Sequence, residues 1–227
     1  MYKKELFITK SCSTFLNHIR TNKTRKHGIK FTPFPLLGMD MGTKFIGISI
    51  TQQEKIQQCN DLRYLTQTIL QQQKRHEPLQ SRIIAKPLTT LIIEQQQDMY
   101  KQVRETLEMV CNRFGVKGIV SGYQDNYQSA EELLNVLKNV FEPSVSLSTL
   151  PILLQNETRS SFESYIHMVD KKTNGNHNMD VMQAFRIYKK DIEGMKSQEK
   201  KELNALSAAI ILDRAIKKID ALNKSVL

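Results

Sequence analysis

Cysteine is scarce and poorly placed for chemistry. Cys12, Cys59 and Cys111 are odd in number, far apart and free of any Cys-x-x-Cys spacing, which argues against a disulfide framework and against a zinc site. Histidine offers no alternative: His18, His27, His76, His167 and His177 show no metal-ligand spacing. No apolar run approaches the roughly 20 residues of a transmembrane helix, so a soluble protein without a membrane partner is expected. No internal repeat is visible. Acids are almost missing from the first 34 residues, where Glu5 stands against Lys3, Lys4, Lys10, Arg20, Lys23, Arg25, Lys26 and Lys30. That segment carries +7 of the net +10, and the remaining 193 residues carry only +3. The high pI is therefore mostly a property of the N-terminal arm and says little about whether the rest binds polyanions.

Besides its cations, the arm holds many Ser and Thr and scattered apolar residues (Leu6, Phe7, Ile8, Phe15, Leu16, Ile19). This is the composition of a mitochondrial targeting segment. A basic tail lying on RNA or on an acidic partner is the other reading, and the two can coexist. Pro33 and Pro35 mark the border, giving an arm over 1–34 and one domain over 35–227. With 40% apolar residues in 227, the chain can build one substantial core with extensions.

Alternation and helical spacing divide the domain. Leu36–Asp40 is apolar enough for a buried strand, Gly42-Thr43-Lys44 is a turn, and Phe45–Thr51 places Ile46, Ile48 and Ile50 on one face. Residues 52–82 turn Gln-rich and polar, an insertion with a short helix over Leu62–Leu70. A strand over Ala85–Ile93 follows, starting near Pro87, where a missing N–H suits an edge. Met99, Val103, Leu107, Val110, Cys111 and Phe114 recur at helical spacing before Gly115. Lys117–Tyr123 reads as a strand, and Ser129 with Glu132 as a capping box for a helix running to Pro143. Ser148–Gln155 reads as a strand, and Ser160 with Glu163 as a second capping box. Residues 171–199 are polar and irregular, a second insertion with a short helix over Val181–Tyr188. A last helix from Ser197 turns Leu203, Leu206, Ile210, Ile216 and Ile219 inward. The order predicts an α/β domain with a mixed five-stranded sheet flanked by helices.

The stretch Leu37-Gly38-Met39-Asp40-Met41-Gly42-Thr43-Lys44-Phe45-Ile46-Gly47 resembles the opening of the YqgF/RuvX family, Asp-x-Gly-Thr-Lys-x-Ile-Gly. A strand carboxylate can hold a divalent metal, Gly42 leaves room for a phosphodiester, and Lys44 can pair with it. Ala85-Lys86-Pro87-Leu88, Gly118-Ile119-Val120-Ser121-Gly122 and Leu206–Leu212 are similar to the family's third strand, fourth strand and closing helix, in the same order. After the fourth strand, Tyr123 and Gln124 replace the family's Leu-Pro. A plain hairpin with a turn glycine is the simpler alternative. The actin-like ATP-binding superfamily also opens this way, but needs two such lobes.

The resemblance implies an RNase H-like fold and metal-dependent phosphodiester cleavage, by two metals roughly 4 Å apart that clamp the attacking and leaving oxygens. The implied acids fall at Asp40, at Glu157 in Asn156-Glu157-Thr158-Arg159-Ser160-Ser161, and at Asn204, where the family has Asp. Asp40 and Glu157 are thus the candidate metal ligands for Mg2+ or Mn2+, Asn204 a replaced third acid, and Gly42, Thr43, Lys44 and Arg159 candidate nucleic-acid contacts. Glu202 should point away, since two helical residues lie about 200° apart, and Asp213 lies more than two turns on. The expected function is a YqgF-like protein with lost or weak nuclease activity, acting with RNA, rather than DNA, in or around the mitochondrial ribosome, with ribosomal proteins as further partners. The alternative is an active divalent-metal-dependent endonuclease, a Holliday junction resolvase or a pre-rRNA processing nuclease.

Overall fold

The computed structural model describes residues 6–21, 34–42, 45–55, 81–92, 99–123, 127–157, 160–173 and 181–225. The expected helix over 62–70, the turn residues Thr43 and Lys44, and Thr158 and Arg159 lie outside them.

In chain order the elements are β1 (Ile8–Thr9), α1 (Cys12–Thr21), β2 (Leu36–Met41), β3 (Phe45–Lys55), β4 (Ser81–Ile92), α2 (Met99–Phe114), β5 (Gly118–Tyr123) and α3 (Tyr127–Phe141). A 3-10 turn (Leu147–Thr149), β6 (Ile152–Asn156), α4 (Ser160–Thr173), α5 (Val181–Gly194) and α6 (Ser197–Ser225) complete the fold. The sheet order is β1-β6-β5-β2-β3-β4. β2–β3 and β3–β4 are antiparallel, while β2–β5, β5–β6 and β6–β1 are parallel. Two hairpin steps outward on one side and two parallel crossovers on the other are the RNase H-like connection order, as the sequence predicts.

The sheet has six strands rather than five. Ile8 and Thr9 pair with Ile152 and Leu153, and α1 lays Phe15, Leu16 and Ile19 against Leu36, Val120, Leu153, Ile211 and Ile216. The alternation expected for the opening hairpin holds. Leu37, Met39, Ile46, Ile48 and Ile50 face α2 and α3 and pack on Val103, Leu107, Leu133 and Leu137. The opposite face of the same strands carries glycines and polar residues, and α6 lies on it. A Cβ at Gly38 would fall 2.7 Å from Leu212 Cβ and 2.9 Å from the Ala208 carbonyl, and one at Gly47 would overlap the carbonyl of Asn204. The glycines let one long helix settle onto the strands at backbone distance, which fixes where its side chains meet β2.

Four boundaries differ from expectation. β3 and β4 run deeper into the Gln-rich segment, pairing out to Lys55 with Ser81. α3 begins at Tyr127, so Ser129 lies inside the helix and does not cap it. The Ser148 strand starts only at Ile152, because Ser144 Oγ accepts the Leu147 N–H and winds the chain into a 3-10 turn. Finally, α5 runs on through Gly194, covering its core neighbours with Ile187, Tyr188 and Ile192.

Candidate active site

Asp40 stands at the end of β2, paired across the hairpin with Gly47, on the face that α6 covers. Only 7% of it is exposed. Its carboxyl bonds two groups brought from elsewhere, the Glu157 carboxyl and the Ser207 hydroxyl. Glu157 follows β6 directly; its N–H donates to the Tyr123 carbonyl at 3.0 Å, which extends the β5–β6 ladder by one rung. Gly122, on the neighbouring strand, leaves the space that Glu157 Oε2 occupies: a Cβ there would collide with it. Sequence-distant Asp40 and Glu157 thus meet.

Two carboxyl groups that hydrogen-bond each other hold a proton between them, since one must be the O–H donor. Burial raises the Asp40 pKa above the usual carboxylate value, and the bonds from Ser207 and Glu157 pull the other way without cancelling it. The folded protein therefore retains a proton at pH values where the unfolded chain has released it. Its stabilising effect is full below the ordinary value of 3.8 and is lost as pH rises through the raised one. Urea unfolding in chelator should accordingly show a stability decline above about pH 4 that Asp40→Asn removes; parallel pH profiles for the two proteins would refute the shared proton.

Asn204 does not complete the pair. Its Nδ2 donates to the Lys200 carbonyl at 2.6 Å, turning the amide along its own helix, while its carbonyl rests on Gly47. One turn later Ser207 takes the place beside Asp40. Ser207 Oγ donates to Ser160 Oγ at 3.0 Å and lies 3.5 Å from Ser161 Oγ. Its single proton serves one partner at a time. Ser160 is therefore a contact to α6 and not the cap of a capping box, and Glu163 pairs with Arg214 at 2.6 Å instead. Tyr188 of α5 closes the cluster. Burial pushes its phenol up, a bond with Ser161 partly offsets this, and the Asp40 charge pushes it up further.

Ser160, Ser161, Ser207 and Tyr188 escaped the reading of the sequence. The Ser160-Ser161 pair and Tyr188 on a helical stripe were the only signals. Gly42, by contrast, is exposed; its N–H donates to the Phe45 carbonyl at 2.9 Å, and a Cβ would sit 2.8 Å from that oxygen. The tight turn by itself accounts for the glycine.

Every donor at the centre is oxygen, which suits a hard divalent cation. Asp40 and Glu157 would hold one, with Ser207 Oγ as a third oxygen. A second cation finds no anchor among the described residues. The Asn204 amide is turned onto Lys200, Asp213 pairs with Lys217 at 2.7 Å, and no group of three or more His, Cys, Asp or Glu gathers in metal-binding geometry. No helix among these residues is long and apolar enough to cross a membrane.

No family model and no curated protein sequence matches the chain. Among solved structures it is similar to RuvC of Thermus thermophilus in complex with Holliday junction substrate, at 11% identity and a TM-score of 0.38 over 78% of this chain and 92% of that one. A second Thermus thermophilus RuvC structure gives 14% and 0.34 over the same shares. The yeast mitochondrial Holliday junction resolvase Ydc2 gives 12% and 0.41, covering 96% of this chain and 100% of that one. Likeness this distant says nothing about chemistry; the RNase H-like fold rests on strand order and direction.

Proposed function

We propose that the chain is a YqgF-like, nucleic-acid-associated protein whose phosphodiester cleavage is lost or weak, working with RNA in or around the mitochondrial ribosome. The observation that carries this reading is the Asp40–Glu157 carboxyl pair, engaged with itself and enclosed by Ser207, Ser160 and Tyr188. A bound Mg2+ or Mn2+ would supply Lewis-acid activation of a phosphate oxygen. The chain's own groups favour a single ion, whereas the two-metal arrangement needs a further anchor of the kind Asn204 does not offer. The mitochondrial setting is supported by the cation-rich, acid-poor composition of residues 1–34, and RNA by the resemblance of the Asp40 hairpin to the family opening.

The test is cleavage of four-way junction DNA and of structured RNA with Mg2+ or Mn2+. Wild type should show none above background, and Asn204→Asp none or a small gain. Cleavage by wild type that Asp40→Asn abolishes would overturn the reading in favour of the active endonuclease, for which the surviving carboxyl pair is the argument. The ribosomal setting predicts co-sedimentation with mitochondrial ribosomal particles that weakens as salt rises; free sedimentation at low salt would remove it.

A further inference from the structure

We infer that the outer face of α5, continued by the first turns of α6, is the surface on which the RNA backbone lies. The inference rests on the RNA reading above and adds its place. α5 is two-faced. Ile187, Tyr188 and Ile192, followed by Met195, pack with Tyr165, Met168, Leu203 and Leu206. Tyr165 donates to Asp191 Oδ2 at 2.7 Å; burial, then that bond and the Asp191 charge, push the Tyr165 phenol up to about 12.

The outer face is left with Arg186, Lys189 and Lys190, all exposed, at the i, i+3, i+4 spacing that puts three side chains on one side of a helix. Glu193 is the one acid among them. Lys196 follows, exposed, and Lys200 and Lys201 are half-buried in the first turns of α6. Against these six cations the stretch 186–201 has only Asp191, Glu193 and Glu199. Asp191, itself exposed, accepts the Tyr165 hydroxyl, and Glu199 Oε2 accepts the Lys196 N–H at 3.2 Å. Other cations of α6 bond to neighbouring elements. Arg214 bridges Glu163 and the Asn156 carbonyl, and Lys218 donates to Gln155 at 3.0 Å.

The location of this ridge matters more than its charge. Tyr188, on the inner side of the same helix, bonds Ser161 and feels the Asp40 charge. Lys200 is the residue whose carbonyl holds the Asn204 amide. A polyanion lying along Arg186, Lys190, Lys196 and Lys200 therefore borders the carboxyl pair on the α5 side. Phosphate pairing of this kind gives affinity without sequence preference.

The probe is a fluorescent RNA hairpin titrated into the full chain across a salt series. Wild type should bind with a negative slope of log affinity on log salt. Replacing Arg186, Lys189 and Lys190 by Gln should weaken binding about tenfold or more and flatten the slope by roughly one unit for each phosphate no longer neutralised. Lys101→Gln with Arg104→Gln on α2 is the matched control and should change neither. Unchanged affinity and slope in the α5 variant, with wild type binding, would overturn this surface and leave the RNA reading standing. No binding by wild type would remove both. Tighter binding to duplex DNA of equal length, or equal losses in the α2 control, would also overturn the assignment. Circular dichroism and the unfolding midpoint should match wild type, since all three side chains are exposed.

Discussion

Gly47→Ala is expected to lower the unfolding midpoint by about 10 °C, a loss of about 3 kcal/mol. The added methyl would overlap the Asn204 carbonyl oxygen and crowd its carbon and the Ala205 nitrogen. Those atoms belong to the backbone of α6, so no rotamer change relieves the overlap; the helix must lift from β3. Lifting it also separates Ser207 from Asp40, since Ser207 sits one turn beyond Asn204. Gly38 is under the same constraint from Ala208 and Leu212. The informative comparison is Gly115→Ala. Gly115 has φ +61° and nothing within 4 Å of an added Cβ, so only the left-handed conformation is penalised, by about 1 kcal/mol. Thermal and urea unfolding of the two variants separate the mechanisms. A Gly47→Ala protein as stable as Gly115→Ala would mean that α6 does not seat on the strands as described.

The same glycines illustrate how far the sequence could be read. Gly38 and Gly47 lie on the polar side of an alternation whose isoleucines predicted their own face correctly. What the alternation does not reveal is the occupant of the other face. A strand of Gly, Ser and Asp is equally suited to solvent, a ligand or a close helix, and only the partner helix, remote in sequence, decides it. The Asp40–Glu157 meeting was legible through the resemblance alone, which names one position on the first strand and one after the last; in the sheet these are β2 and β6, with β5 and its Gly122 between them. Ser207 was not. Its neighbours Ser160 and Asp40 are remote in sequence, and a serine within an Ala-rich helical run carries no local mark of its surroundings. Asn204 shows the same limit at finer scale: its helix and its turn were predictable, but the rotamer that sends its amide to Lys200 was not. Ser160-x-x-Glu163 has the letters of a capping box, yet Ser207 and Arg214 compete for both side chains and win.

Phe15→Ala should cost about 3–5 kcal/mol, the range for emptying a fully buried aromatic site. If residues 1–34 were only a detachable basic arm, the same change would cost nothing. Phe15 is 0% exposed; it fills the space above Gly118, where a Cβ would come within 2.6 Å of its Cζ. Leu16 and Ile19 extend the packing to Leu36, Leu153, Ile216 and Ile219, so one face of α1 covers what would otherwise be an exposed apolar strip of β5, β6 and α6. The composition of a targeting segment and that of a docking helix coincide, because both are basic and amphipathic, and the sequence does not say which surface the apolar face meets. The packing bears directly on processing. A cut beyond residue 21 would remove Phe15, Leu16 and Ile19 and uncover the cluster they close, whereas a cut ahead of Leu6 leaves β1 and α1 in place. If the chain is imported and processed, as the proposed setting implies, the mature protein should therefore retain Cys12–Thr21, which N-terminal sequencing reads directly. Urea unfolding of Phe15→Ala gives the matching energetic measurement, and a midpoint equal to that of wild type would return the whole segment to the role of a free arm.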